Sequence, residues 1–270
     1  METEIYFNPF DEAFRANPYP HYRALSGQPP RQIQVFSVPL ILIGRYADAI
    51  AIIRDPVRFS SNVRPPERAE VFGTAPRLLF SDPPTHTRLR KLVSRAFTPK
   101  RIKDLEPKIR EFTTTLLDRA IARGELELMS DVAVPLPVMV IAEMLGVPHD
   151  DYERFKEWSD RIVEADNTLP GMPLPPSVGE AFQSLREFFI GEIAKRRKNP
   201  GPDLVSALVT ARDEADALSE DEMIAFAILL LIAGNETTTN LIGNGTLALM
   251  RHPDQLETLR KKSSSSGECD

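Results

Sequence analysis

Cysteine is nearly missing from this chain: the only one in 270 residues is Cys269, next to the C-terminus. One thiol cannot close an intramolecular disulfide or build a multi-cysteine zinc site, and such scarcity suits a reducing cytoplasm. Positive charge is also in deficit, with 33 Lys and Arg against 39 Asp and Glu, a net charge of −6 and a pI near 5.4. That balance argues against nucleic acid as a partner. The N-terminus, METEIYFNPFDEAF, has neither the basic region nor the apolar stretch of a secretory leader. Uninterrupted apolar runs are short: the longest, Met223 to Ala233, falls below the roughly 20 residues that cross a bilayer. A soluble cytoplasmic protein with no membrane partner is expected.

Proline, by contrast, is plentiful. The 24 prolines cluster between periodic segments and so read as punctuation. Hydrophobic residues at 42% and charged residues at 27% fit a globular chain with a sizeable core. NPYPHYRAL begins a short helix, and QIQVF and LILIG, either side of Ser37-Val38-Pro39, predict a small hairpin. YADAIAIIRDP is helical and is stopped by Pro56. Val63 to Phe80 is irregular enough to predict a long loop with one helical turn. Helices are then expected from Pro83 to Phe97, from Lys100 to Arg123, along PLPVMVIAEMLG, and from Asp150 to about Ala165. After the loop NTLPGMPLPPS come Val178 to Arg197 and Asp203 to Arg212. Ser219 with Glu222 three residues on is a capping-box pattern, and the helix it opens runs to Arg251. PDQLETLRKK starts another helix, before the polar end SSSSGECD.

The long helix raises the central question, because its apolar run turns into Ala-Gly-Asn-Glu-Thr-Thr-Thr without a breaking proline. Leu230, Ala233, Gly234, Thr237 and Leu241 share a helical face through three- and four-residue steps. Ala233 and Gly234 leave a gap there, Thr237 can turn its hydroxyl back to the Ala233 carbonyl, and Glu236 lies at the edge. The pattern suits a close helix contact with back-bonded threonines. It also suits a hydroxyl and carboxylate that deliver protons to a bound ligand. On the earlier helix, DPPTHTRLRKLVSRAFTP, the residues Leu89, Leu92, Val93, Ala96 and Phe97 form one buried stripe. His86 and Arg90, four apart on its border, suit a ligand with an apolar body and carboxylates.

AGNETTT resembles the oxygen-groove motif of the haem-thiolate monooxygenases, the cytochrome P-450 family, in its soluble bacterial form. DPPTHTRLR resembles the same family's propionate-binding helix, and similarity continues in order from about residue 8 to residue 260. The resemblance implies a mainly α fold with a small β-sheet, built on a long central oxygen-groove helix. It implies haem as cofactor, with His86 and Arg90 on its propionates. Ala233 and Gly234 would line the dioxygen groove, Thr237 would hydrogen-bond the bound oxygen, and Glu236 would relay protons. The implied reaction inserts one atom of dioxygen into a small apolar organic substrate, using electrons from a ferredoxin- or flavodoxin-type donor. Substrate would meet the Val63–Phe80 loop, the Asp166–Ser177 loop and the long helix, including Phe226 and Leu230. A basic stripe of Arg88, Lys91 and Arg95, continued by Lys100, Arg101 and Lys103, would face the electron donor.

The family's Glu-x-x-Arg helix and its cysteine-ligand loop have no counterpart here, and Glu257 to Arg260 matches the former by letters only. No metal ligand is therefore assigned, since the surroundings of Cys269 do not resemble the ligand loop. Residues 1–262 read as the N-terminal two-thirds of one such domain, 263–270 as a polar tail outside the family, and the chain as truncated and inactive alone. The competing reading is a non-catalytic small-molecule or haem-binding helical module.

Overall fold

The computed structural model describes residues 7–8, 11–35, 38–63, 66–73, 75–168, 172–213 and 216–265. Two short helices, α1 (Glu12–Ala16) and α2 (Tyr19–Leu25), precede the hairpin β1 (Arg31–Val35) and β2 (Val38–Leu42), which pairs antiparallel with Arg31 opposite Leu42. Helix α3 (Tyr46–Ile53) follows as expected. The segment read as a long loop holds α4 (Pro66–Phe72) and a 3₁₀ turn at Leu78–Phe80. The hairpin turn residues Phe36 and Ser37 lie outside the described set.

Helix α5 (Thr85–Ala96) buries Leu89, Leu92, Val93 and Ala96, the stripe its periodicity predicted. The single helix expected from Lys100 to Arg123 is two, α6 (Pro99–Asp104) and α7 (Glu106–Arg123). Pro107 has no N–H to continue the first helix and is favourable in the opening turn of the second. A π-type turn at Met129–Ala133 leads into α8 (Pro135–Leu145), which ends at Gly146 with φ +74°. Then come α9 (Tyr152–Val163), α10 (Pro176–Lys198) and α11 (Leu204–Thr210), the last capped by the Asp203 carboxylate. Arg212 is not the end of that helix. It opens a small ribbon of β3 (Arg212–Asp213) and β4 (Asp216–Ala217), which the sequence reading missed.

Helix α12 (Glu220–Arg251) has the predicted length of 32 residues, about 48 Å at ~1.5 Å per residue. Its capping box is complete: Ser219 Oγ accepts from Glu222 N at 3.2 Å, and the Glu222 carboxylate accepts from Ser219 N at 2.8 Å. Its first half lies in the core, where Met223, Ile224, Phe226, Ala227, Ile228 and Leu231 are buried with Phe155, Leu185, Phe189 and Leu204. Each such side chain contributes about 1.5–3 kcal/mol through burial. Its second half exposes Leu241 and Met250. Helix α13 (Pro253–Ser265) follows. Uninterrupted runs understate the apolar character of α12. An 18-residue window reaches a mean hydropathy of 1.3, so by length and composition alone this helix could cross a membrane.

Candidate functional site

The face of α12 that carries Ala225, Ile228, Leu229 and Ile232 walls a hollow of about 450 Å³. Ala233, Glu236 and Thr237 continue that wall at its polar end. The opposite side comes from the 63–80 segment, through Val63, Phe72, Leu79 and Phe80, while Ile162, Ala165 and Phe182 complete it. A volume of that order suits a small organic molecule.

Two expectations about this wall need correction. Phe226 points away and meets Phe97 edge-on at 5.9 Å, tying α12 to the end of α5. Leu230 packs against the core instead. The wall is formed by neighbours a fraction of a turn around the helix, while Phe226 is engaged by Phe97, just past the end of α5. Among the described residues of the second expected loop, Asp166–Ser177, none lines the hollow; part of that loop lies outside the described set.

The seven-residue patch from Ala233 to Thr239 is divided between two faces of the helix. Thr237 Oγ1 donates back to the Ala233 carbonyl at 2.6 Å, as its spacing predicted, and the helix continues unbroken. Glu236 and Thr237 are exposed on the hollow's side, and Glu236 forms no hydrogen bond or ion pair among the described residues. Asn235 is turned inward, where its Nδ2 donates to the buried Ser159 hydroxyl of α9 at 3.1 Å. Thr239 donates to the Ala133 carbonyl at 2.9 Å, so the turn before α8 is also pinned. Gly234 faces α8: a Cβ there would lie 2.7 Å from Ile141 Cδ1. Its small size therefore serves helix packing, and Gly234 is not among the residues lining the hollow. The inward role of Asn235 was legible, since it continues the buried Ile228–Leu231 stripe at three- and four-residue steps.

The structure does not bring His86 and Arg90 into the hollow's lining. They stand one turn apart on α5, His86 half-buried and Arg90 exposed, and no hydrogen bond or ion pair ties Arg90 among the described residues. The helix reaches the hollow indirectly, packing on the 78–80 turn that supplies Leu79 and Phe80. Asp82 is held below the ordinary carboxylate range by the Ser60 hydroxyl first, then by the Ser61 N–H, with nearby His86 adding a smaller effect.

Between His86 and Arg90, Arg88 behaves differently from its expected place in a basic docking stripe. Its guanidinium turns inward, with Nε 2.7 Å from Asp216 and Nη1 2.7 Å from Glu222. It also donates to the Ala217 carbonyl at 3.1 Å. Burial pushes the Glu222 carboxyl up, yet the Arg88 and Ser219 hydrogen bonds prevail and hold it below its ordinary value. Arg88 is correspondingly raised, by Glu222 and then Asp216. Arg101 is committed too, donating to the Ala96 carbonyl at 2.8 Å. The stripe that remains exposed is Lys91, Arg95, Lys100 and Lys103.

Haem, the cofactor implied by the sequence resemblance, can be tested against these surroundings. An apolar wall ending in the small Ala233, with a hydroxyl and an exposed carboxylate beside it, fits one face of a flat apolar ring. His86 and Arg90 are hydrogen-bond donors of the kind its carboxylates need, but they stand on α5 outside the hollow's lining. No group of three or more His, Cys, Asp or Glu able to hold a metal occurs among the described residues, and Cys269 lies outside them.

Comparison with known proteins agrees with this geometry. The family model described as "Cytochrome P450" matches residues 28–265. Cytochrome P450 107B1 of Saccharopolyspora erythraea is 38% identical over 266 residues, covering 93% of this chain and 64% of that protein. The vitamin D(3) 25-hydroxylase of Pseudonocardia autotrophica is 40% identical over 257 residues, covering 93% and 62%. Among solved structures, the bacillaene polyketide synthase cytochrome P450 PksS of Bacillus subtilis superposes with a TM-score of 0.82 at 32% identity, covering 96% of this chain and 66% of that one. The chain thus spans a little under two thirds of the length of these curated relatives.

Proposed function

For a chain that belongs to the cytochrome P450 family over residues 28–265, we propose the role of the N-terminal two-thirds of a haem-dependent monooxygenase domain. The reaction inserts one atom of dioxygen into an organic substrate seated in the hollow. The observation that supports it most directly is the placement of Glu236 and Thr237, the exposed polar end of an otherwise apolar wall.

Haem, when bound, supplies the activation of dioxygen. The remaining work belongs to this chain's side chains. Ala233, with no side chain beyond Cβ, leaves room for a flat group against α12. The Thr237 hydroxyl holds its proton on the Ala233 carbonyl and can rotate that proton into the hollow, because Oγ1 has lone pairs left to accept another. The Glu236 carboxylate, exposed and without a partner among the described residues, takes protons from water and passes them to that hydroxyl's neighbourhood. The apolar side chains of Ile228, Leu229 and Phe72 exclude water from the substrate. His86 and Arg90 would hold the cofactor's carboxylates from α5. Lys91, Arg95, Lys100 and Lys103 steer an acidic ferredoxin- or flavodoxin-type donor, a salt-sensitive attraction. The cytoplasm is the compartment that suits this chemistry.

The test is a carbon monoxide difference spectrum of the reduced protein. The 270-residue chain alone is expected to give no thiolate-type band. The same chain joined to the C-terminal third of cytochrome P450 107B1 is expected to give one. A joined protein that takes up haem without a thiolate-type band overturns the monooxygenase reading, and a histidine-type band from the chain alone favours a haem-binding module.

A further inference from the structure

The hollow is long and narrow. On α12 its wall starts at Ala225, runs through Ile228, Leu229 and Ile232, and ends at Glu236 and Thr237, all at three- and four-residue steps. From Ala225 to Thr237 the helix rises about 18 Å, at ~1.5 Å per residue. Spread over that length, a volume of about 450 Å³ leaves a mean cross-section of about 25 Å², a bore about 5–6 Å across. Non-bonded carbons pack about 4 Å apart, so one aliphatic chain fits that bore, and two abreast or a fused ring system do not. The arginines in the lining do not alter its apolar character. Arg68 and Arg77 are bonded within the protein, to the Ala165 and Phe72 carbonyls among other partners.

The two ends of this stripe differ. One carries the acid–hydroxyl couple, Glu236 and Thr237. At the other, Ala225 stands where the middle of the stripe has Ile and Leu. One turn beyond Ala225 the apolar face stops: Asp221 of α12 pairs at 2.8 Å with Arg186 of α10, itself one turn from the lining residue Phe182. A ligand that fills the hollow therefore lies along α12 and offers a terminus, not its middle, to the couple. Resting on the reading of this hollow as the substrate site, we propose that the substrate is a slender aliphatic chain, oxidised at or next to its end. Ala225 is then a specificity-determining residue that sets the length of chain accepted. One oxygen atom enters a C–H bond at that end and the other leaves as water. The two electrons come from the ferredoxin- or flavodoxin-type donor, and the two protons by way of Glu236 and Thr237.

Equilibrium dialysis against the 270-residue chain tests this with radiolabelled primary alcohols, octanol, decanol and dodecanol, and with adamantanol. Each CH₂ taken into the bore is expected to raise affinity about three- to fourfold, so octanol to dodecanol spans on the order of 100-fold. Adamantanol has the carbon count and the hydroxyl of decanol in a compact cage, and is expected to bind at least about tenfold less tightly. Ala225→Phe, which plugs the far end, should weaken dodecanol about tenfold and leave octanol unchanged, with Ala225→Val intermediate. Adamantanol binding as tightly as decanol to the unaltered chain overturns the proposal without reference to any variant. So does a dodecanol affinity that Ala225→Phe leaves intact, loss of octanol and dodecanol together in Ala225→Val, or binding of none of the alcohols. The carbon monoxide spectrum of the joined protein is independent of these affinities, so failure of the chain-length preference and failure of the monooxygenase reading are separable.

Discussion

Removing the Arg88 guanidinium should destabilise the fold through one of its two carboxylates far more than the other. In Arg88→Met the apolar stem remains and the charge goes. Asp216 is 44% exposed in its side chain, so its pair contributes at most about 1 kcal/mol. Glu222 is only 8% exposed, and without Arg88 its charge keeps the Ser219 N–H and loses both guanidinium contacts. Breaking a fully buried pair costs about 3–5 kcal/mol, and the 35% exposure of Arg88 reduces that. The expected loss is about 3 kcal/mol, read from urea unfolding followed by far-ultraviolet circular dichroism at neutral pH. Glu222→Gln should recover part of it in the double variant, with a coupling of about 1–2 kcal/mol. Acid provides a second readout. The folded protein holds Glu222 below its ordinary value of 4.5, so this contribution is complete above that pH and is lost as pH falls through the depressed value. The gap between the unaltered chain and Arg88→Met should therefore narrow below about pH 4.5. A loss under about 1 kcal/mol, or a gap that persists in acid, refutes the reasoning.

Gly44→Ala should lose at least about 2 kcal/mol, seen as a melting point lowered by about 4 °C or more, because its new Cβ would sit 2.1 Å from the Leu25 carbonyl oxygen, a backbone atom that cannot turn aside. Asn235→Ala should cost about 1–3 kcal/mol in urea unfolding and Ser159→Ala about 1, as the buried amide–hydroxyl bond is lost from either side. Thr237→Ala in the joined protein should leave stability within about 0.5 kcal/mol, since the side chain is exposed, yet raise the share of reductant released as hydrogen peroxide. Unchanged coupling in a peroxide assay removes Thr237 from proton delivery.

What the sequence made legible was chiefly what one helix does by itself. Ser219 and Glu222 located the start of α12 because a capping box needs only residues three apart, and the α5 stripe followed from its period. What stayed hidden depends on partners distant in the chain. Arg88 looked like surface charge until folding brought Asp216 and Glu222 to it, 128 and 134 residues away. Phe226 and Ile228 are equally apolar and both buried, and spacing alone does not tell that Ile228 also borders the hollow while Phe226 meets Phe97. The division of the Ala233–Thr239 patch was not drawn from the sequence: three- and four-residue steps from Ile228 and Leu231 could have turned Asn235 inward, while Ser159 and Ala133 could not be identified from spacing. The ribbon at 212–217 was missed because two-residue strands carry too few residues to show alternation.

The clamp at the head of α12 also sets an angular reference for residues well over a turn away. Glu222 is fixed in two ways, by the cap and by Arg88, while Asn235 is fixed to Ser159, and between them the helix runs without a break. Each residue added to such a rod rotates everything beyond it by about 100°. A single-residue insertion between Glu222 and Ala233 would therefore force a choice between the two anchors. Either Asn235 leaves Ser159 and the acid–hydroxyl couple swings off the cavity, or the helix stores the extra residue as a bulge. The number of residues between these two points is what keeps both anchors and the couple in phase.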